Sequence, residues 1–541
     1  MKRVFFLITI LSISCVGYSH TAEEFFERGE VKDSIQDYKG AIEDYTRAIE
    51  INPKDTSAYY NRGRAKGISQ DYRGAIEDFS KVIELNPKYA KAYNNIGYAK
   101  YSLKDFSGAI EDYTKSIEID PRDPSAYLYR GLAKDELQDY KGAIADYTKS
   151  IEIGPRIEMT YYERGHAKYN LQDYQGAIDD FTEAISIEPK MALNYYDRGD
   201  VKYELQDYKG AIVDYTKAIE IDPKYAEAYK NRGTAKDRLQ DHMGAINDYT
   251  EAIEIDPKDT TAYYNRGTSK CDLKDHKGAI ADFTKAIELA PDYAKAYYNR
   301  GIAKYNIQDL KGAIDDYTKN LEIEPENAIV YYSRGIAKYD LQDYSGSIVD
   351  YTKVIEIDPG MALAYYERGY AKQNLKDYKG AIADITESLN INPKDADAYF
   401  IRGVAKVGLQ DYKGAIEDYA IVIKIDSSNV MAYYNLGVAK YSLQDDKGAI
   451  AYYSKAIEIN PEFIEAYINR GRGKENLKDY IGSIADYTKA IEFDPQNALA
   501  YYNRGSAKIE FGQRDSGCQD LQKAVELGYS EAYNAIKKFC N

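Results

Sequence analysis

Residues Ala294 to Pro325 read A-K-A-Y-Y-N-R-G-I-A-K-Y-N-I-Q-D-L-K-G-A-I-D-D-Y-T-K-N-L-E-I-E-P, and with Glu326 and Asn327 they make one 34-residue unit. Two helices are legible in it. In the first, from about Ala294 to Ile307, Ala296, Ala303 and Ile307 recur on one face with Tyr297 and Gly301 beside them. Arg300 and Lys304 fall within that arc, so their long stems share the apolar stripe. Asp309 has the character of an N-cap. It opens a second helix whose stripe is Ala313, Ile314, Tyr317 and Leu321, and which ends before Pro325.

The unit recurs along the chain. Glycine stands at Gly29, Gly63, Gly97, Gly131, Gly165, Gly199, Gly233, Gly267, Gly301, Gly335, Gly369, Gly403, Gly437, Gly471 and Gly505, always 34 residues apart. No linker or low-complexity stretch interrupts these fifteen copies, and the spacing marks no domain boundary within them. Neither helix of a pair can bury its stripe alone, so neighbouring pairs must stack into a solenoid with an inner groove and an outer wall.

The second copy has Tyr59, Gly63, Ala75, Phe79 and Pro87 at its fourth, eighth, twentieth, twenty-fourth and thirty-second places; the sixth has Tyr195, Gly199, Ala211, Tyr215 and Pro223. This pattern resembles the tetratricopeptide repeat. The resemblance implies an all-α, right-handed superhelical solenoid of about fifteen helical hairpins, with a C-terminal capping helix. Sterically, Gly199 and Ala211 let the two helices approach while Tyr195 and Tyr215 fill the flanking space. Glycine inside a helix costs about 0.5–1 kcal/mol relative to alanine, so close packing must outweigh that cost.

Two places depart from the family pattern. The seventh, usually Leu, is mostly Arg (Arg62, Arg130, Arg266), and the eleventh, usually aromatic, is Lys in every copy. Asp is nearly as regular at the twenty-third place (Asp78, Asp146, Asp214). Lys and Asp are expected to pair across the hairpin, the lysine stem buried and its head at the edge. Recent duplication of one repeat would produce the same uniformity without any functional cause.

At the N-terminus, Lys2 and Arg3 precede an apolar run from Val4 to Ile13, with Gly17 and Ser19 placed for cleavage before His20. Residues 1–19 are therefore read as a signal peptide, 22–528 as the repeat array and 529–541 as the capping helix. No other stretch is apolar enough to span a membrane. Cys15 raises lipid attachment, although Ser12-Ile13-Ser14 matches a lipoprotein box poorly. The leader and the resemblance imply an exported bacterial protein, periplasmic or secreted. Thr21 and Glu24 form a capping-box pattern at the first helix, and Ser530 to Cys540 reads as one helix covering the last hairpin. A disulfide between Cys518 and Cys540 is physically sensible in an oxidising compartment, with the register left open; Cys271 is read as a free thiol.

A formal charge of −16, with no basic run longer than a pair, excludes the usual nucleic-acid footprint. The four histidines form no H-E-x-x-H motif, and neither a phosphate-binding glycine loop nor a nucleophile elbow is present. The expectation is a non-enzymatic chain with no catalytic residue, metal or cofactor. His242 and His276 share a register place in adjacent copies, each after an aspartate; a loose metal site there competes with simple replacement of the tyrosine found in other copies.

In the family, the second, fifth, sixth, ninth and twelfth places of the first helices line a groove that grips extended peptides. The fifth place holds Tyr60, Tyr162, Tyr196, Tyr264, Tyr298, Tyr332, Tyr366, Tyr434 and Tyr502, beside Asn61, Asn231, Asn265, Asn299, Asn435 and Asn503. The twelfth adds Tyr101, Tyr169, Tyr203, Tyr305, Tyr339 and Tyr441. Tyrosine offers wide contact at low entropic cost and asparagine can bind a peptide backbone. The same ladder would also serve packing between copies. The expected partner is a peptide or protein, and the expected role an adaptor or scaffold. Polysaccharide binding within an envelope export system and a purely architectural spacer are the alternatives; the absence of Trp weakens the former. Some family members hold a C-terminal carboxylate with Lys and Asn; Lys230, Asn265 and Lys295 match that clamp, whereas Thr234 and Asn299 do not.

Overall fold

The computed structural model describes residues 21–540. The expected leader, Cys15 and His20 lie outside these residues. Within them run thirty-one helices, α1 to α31 in chain order, with no strand. Each copy contributes an odd-numbered first helix and an even-numbered second one, as in α17 (Ala294–Asn306) and α18 (Leu310–Ile323).

The turn between these two shows how the sequence sets the hairpin. Gln308 takes a left-handed φ of 65°. Its N–H donates to the Tyr305 carbonyl and that of Asp309 to the Lys304 carbonyl, both at 2.9 Å, which satisfies the end of α17 in a Schellman arrangement. The Asp309 carboxylate then accepts from the Gly312 N–H at 3.0 Å and caps α18, as expected. A Cβ on Gly312 would lie 2.2 Å from Asp309 Oδ2, so the recurring glycine at this place admits the cap. Fourteen Gln and Lys residues take the left-handed φ at the equivalent turn, and in the last copy Gly512 adopts it without the steric penalty.

Most of the expected stripe is buried: Ala296, Ala303 and Ala313 at 0%, Tyr317 at 2% and Leu321 at 7% exposure. Ile307 is the exception at 39% exposure, because it caps α17 beyond the last full turn and turns outward. The ring of the twenty-fourth place lies directly across the glycine of the eighth; a Cβ on Gly301 would sit 2.6 Å from Tyr317 Cε1. In the sixth copy Tyr215 does this over Gly199, while Tyr195 is only half-buried and lies beneath Arg198, 5.7 Å from the guanidinium carbon.

The expected Lys–Asp pair forms, but as part of a larger set. Lys304 Nζ lies 2.8 Å from Asp316 Oδ2. Arg300 grips the same carboxylate with two parallel bonds, Nε at 2.9 Å and Nη2 at 2.6 Å. Its third arm, Nη1, donates to Thr284 Oγ1 of the preceding hairpin at 3.0 Å, and the guanidinium covers the Tyr297 ring at 5.5 Å. One side chain thus closes its own hairpin and fastens it to the one before. The set recurs, for example, around Asp78, Asp180 and Asp418.

Copy thirteen dispenses with it as a unit. Leu436 replaces the arginine, Tyr452 the aspartate, and Ala420 the threonine of the copy before. Leu436 is fully buried and Tyr452 packs in the same cluster, so an apolar contact stands in for the ionic one. Lys440, left without its aspartate, turns to the cap Asp445 at 3.0 Å.

Two compact units divide within α15 (Thr260–Asp272), one ending at Ser269 and the other beginning at Lys270, a division that the unbroken spacing does not announce. In each unit consecutive hairpins pack together, and successive first helices, such as α3 (Thr56–Ile68) with α5 (Ala90–Ser102), approach more closely than the second helices do. The first helices therefore line the inner side. Unit one begins with the expected capping box on α1 (Ala22–Ser34), between Thr21 and Glu24. Unit two ends with α31 (Ala532–Phe539), shorter by two residues at its start than expected, whose Ala532 and Ile536 pack on Leu521 and Ala524 of α30 (Arg514–Glu526). The Cys518–Cys540 disulfide is formed, with Cα atoms 5.8 Å apart, and ties α31 to α30. Cys271 is a free thiol.

Candidate functional site

Tyr60, Tyr162, Tyr196, Tyr264 and Asn265 in unit one are all half-buried on the first helices, as are Tyr298, Asn299, Tyr332, Tyr366, Tyr434 and Tyr502 in unit two. One flank of these rings is committed to structure. Tyr60 meets Phe79 at 5.7 Å between ring centres, Tyr196 meets Tyr215 at 5.8 Å and Tyr332 meets Tyr351 at 5.8 Å. Their hydroxyls are tied from copy to copy as well: Asn95 donates to Tyr60 at 3.2 Å, Asn231 to Tyr196 and Asn469 to Tyr434, both at 2.9 Å. Much of the tyrosine–asparagine ladder is thus spent on registering neighbouring hairpins, and the outer flank of each ring is what remains for a ligand.

The twelfth place forms a second ladder. Tyr305 donates to Asp340 of the next copy at 2.5 Å, Asn374 donates to Tyr339 at 2.8 Å and Arg238 to Tyr203 at 3.1 Å. In the second copy this place is Gly67, and a cavity of about 190 Å³ opens there between Phe79, Tyr72 and Tyr98. Of the partial match to a carboxylate clamp, Lys230 holds Asp259 at 2.7 Å. His242 is bonded to Asp237 at 3.1 Å. Among the described residues no group of three His, Cys, Asp or Glu side chains is placed to hold a metal.

What the sequence reading missed is the chemistry between the rings. On α7 (Pro124–Glu136), α9 (Glu158–Asn170) and α11 (Ala192–Glu204), the sixth, ninth and twelfth places carry Asp135, Glu163, Asp197 and Asp200, with His166 the one basic residue among them. His166 Nε2 lies 3.2 Å from Asp197 Oδ2. Asp200 accepts from Tyr215 Oη at 2.7 Å and Asn231 Nδ2 at 3.0 Å, and borders a cavity of about 200 Å³ with Tyr169, Tyr203 and Glu204. Burial pushes the carboxyls of Asp135, Glu163 and Asp200 above their usual range; the bonds from Tyr215 and Asn231 offset part of it at Asp200. Burial pulls His166 down, but the bond to Asp197 and the fields of Asp197, Glu163 and Asp135 outweigh it and raise its pKa. The signal was available, since these acids occupy places that the resemblance assigns to the groove.

In unit two several of these places are apolar, although Glu367, Arg472 and Glu475 keep charge. Copy twelve presents Phe400, Ile401, Val404 and Val407, while Ile329 and Leu363 stand 60% and 56% exposed at the second place of copies ten and eleven. Tyr339, Tyr370 and Tyr366 stack in sequence beside them, with ring centres 5.5 and 6.3 Å apart.

Models of the tetratricopeptide repeat match most of the chain. One covers residues 22–67, 68–104, 199–239, 267–308, 407–444 and 477–510; a second covers 90–123, 226–259 and 430–463; a third covers 160–191, 294–327, 328–361 and 362–395. No curated protein matches as a relative. Similar solved structures include the C-terminal part of a TPR repeat-containing protein from Cytophaga hutchinsonii, at 20% identity, covering 44% of this chain and 98% of that one, with a TM-score of 0.41. YrrB, described as a TPR protein with an unusual peptide-binding site, is 25% identical over 35% of this chain and 97% of its own, with a TM-score of 0.32. MamA from Desulfovibrio magneticus RS-1 is 24% identical over 31% of this chain and 96% of its own, with a TM-score of 0.31.

Proposed function

Because this chain belongs to the tetratricopeptide repeat family, we propose that it is a non-catalytic scaffold whose first-helix face holds an extended segment of a protein partner. The observation that carries this reading is a division of labour within the repeat. The seventh, eighth, eleventh and twenty-third places are nearly uniform and are consumed by packing, whereas the second and ninth change from copy to copy and keep exposed surface. A spacer would need no such variation on its inner side.

The work is done outside the cytoplasm, in the periplasm or beyond. The basic and apolar start of the chain supports this, and so does the Cys518–Cys540 bridge, which an oxidising compartment preserves. Peptide and glycan arrays probed with the chain and with a Tyr298→Ala, Tyr332→Ala, Tyr366→Ala triple variant test the reading. Capture of peptides, weakened at least tenfold in the triple variant, is expected. Capture of glycans alone, or binding indifferent to all three changes, would overturn it.

A further inference from the structure

In unit one the acidic stretch of the first-helix face contains polar atoms that are buried and unpaired. In the seventh copy the equivalent set is complete, whereas the hydroxyls of Tyr45, Tyr113 and Tyr351 at the same place are unpaired. In that seventh copy Tyr249 Oη donates to Asp237 Oδ2 at 2.9 Å, and Ser269 Oγ donates to the same oxygen at 2.7 Å. In the fourth copy Tyr147 and Asp135 hold the same two register places. Tyr147 is fully buried, yet its hydroxyl has no partner, and Asp135 Oδ1 is buried without one either. The hairpin's own cations are committed elsewhere: Arg130 and Lys134 both hold Asp146, at 2.6 and 2.7 Å. His166 bonds to Asp197 and reaches Asp135 and Glu163 only through its field. What remains is a hydroxyl and a carboxylate oxygen that can each accept a hydrogen bond, and the carboxylate of Glu163 on the next first helix.

We propose that Asp135, Tyr147 and Glu163 form a seat for one basic side chain, Lys or Arg, of the bound segment. The cationic head enters on the carboxylates of Asp135 and Glu163, both partly exposed, and Asp135 Oδ1 and Tyr147 Oη, covered in the free chain, open to it as it docks. The stem of that side chain lies along the half-buried tyrosines at the fifth and twelfth places, where four methylenes are covered without the head leaving its acceptors. This inference rests on the reading of the first-helix face as a binding surface, so its test must separate the two.

A random dodecapeptide display library is panned against the full chain, and the selected peptides are synthesised with a fluorescein label for anisotropy titration. Selected peptides are expected to share a Lys or Arg, and changing that residue to Gln should weaken binding tenfold or more. Asp135→Asn with Glu163→Gln should cause the same loss. Glu43→Gln with Glu77→Gln, which removes two exposed carboxylates from second helices of the same unit, should change affinity less than twofold. Equal losses in both double variants would assign the effect to net charge and overturn the seat. Selection of peptides without a basic residue would overturn the seat and leave the scaffold reading standing. A library that yields no binder would overturn both.

Discussion

Replacing Asp316 by Ala tests whether the arginine staple holds the hairpins together. The aspartate is 4% exposed and the partners it would leave behind, Arg300 and Lys304, are 15% and 19% exposed at their side chains. Three charge-assisted bonds disappear, at 2.9, 2.6 and 2.8 Å. Removing one partner of a buried ion pair costs about 3–5 kcal/mol. Arg300 keeps its bond to Thr284 and Lys304 can turn to Asp309, so the low end applies, about 3 kcal/mol. Copy thirteen supplies the converse arm. Leu436→Arg buries an uncompensated guanidinium where the leucine is fully covered, and should cost a similar amount. Adding Tyr452→Asp and Ala420→Thr rebuilds the staple and should recover most of it. A repeat array need not unfold in one step, so the readout is local: amide exchange in the two helices of the altered copy, by mass spectrometry. A loss of about 3 kcal/mol appears as roughly hundredfold faster exchange. The reasoning fails if Asp316→Ala accelerates exchange less than tenfold, or if the triple change in copy thirteen is as damaging as Leu436→Arg alone.

Gly301→Ala places a methyl 2.6 Å from the Tyr317 ring and should destabilise its hairpin by about 2 kcal/mol through overpacking, read by the same exchange measurement. Replacing Cys518 and Cys540 by Ser opens a link spanning 22 residues, which is worth about 3 kcal/mol in chain entropy. Proteolysis should then release residues 529–540 much faster while α17 and α18 keep their protection. The carboxyls of Asp135, Glu163 and Asp200 sit above the usual carboxylate range, chiefly through burial. The folded chain therefore binds protons more tightly there than the unfolded one. Stability of α9 and α11 should rise as pH falls from 7 through the raised folded values, the gain being complete near the unfolded ones. His166, also raised, contributes in the same direction, its share being lost as pH climbs through its folded pKa. A variant with Asn, Gln and Asn at the three carboxyl positions should show a flatter exchange-versus-pH profile; an unchanged slope would refute the assignment.

How far the sequence could be read follows from the range of the interactions. Helix spans, the Asp309 cap and the Thr21–Glu24 box depend on residues within four positions of each other, and all were legible. The Lys–Asp pair, twelve residues apart across one turn, was also within reach once the hairpin was granted. Arg300 was placed on the right face but its partners were not foreseen, since Asp316 and Thr284 lie sixteen residues to either side and the second belongs to another hairpin. The joint replacement at residues 420, 436 and 452 was the trace of that contact in the sequence. Ile307 was misplaced because periodicity was carried one residue past the helix end. The tyrosine ladder was found, but its hydroxyl bonds to the following copy depend on how hairpins register, which no single copy specifies. The unpaired state of Asp135 and Tyr147 was beyond reach for the same reason, as it concerns which neighbours fail to arrive.

The staple also explains how one scaffold can carry an inner face of changing chemistry. The Arg–Asp–Lys set, the ring over glycine and the cap at the turn, which fix a hairpin and join it to the last, use places seven, eight, eleven, sixteen, nineteen, twenty-three, twenty-four and twenty-five. None of these is the second or the ninth, so substitutions there alter the inner surface without touching the joints; the sixth is a joint where an asparagine bonds the tyrosine of the copy before. Unit one can accordingly bury Glu163 and Asp200, at a desolvation cost that their raised pKa values register, and unit two can line the same places with Ile329, Leu363 and Val404. This cost is tolerated on a rigid frame because many repeated joints share the load. It is relieved when a ligand of opposite charge arrives, which turns a local instability of the free chain into selectivity for a basic partner.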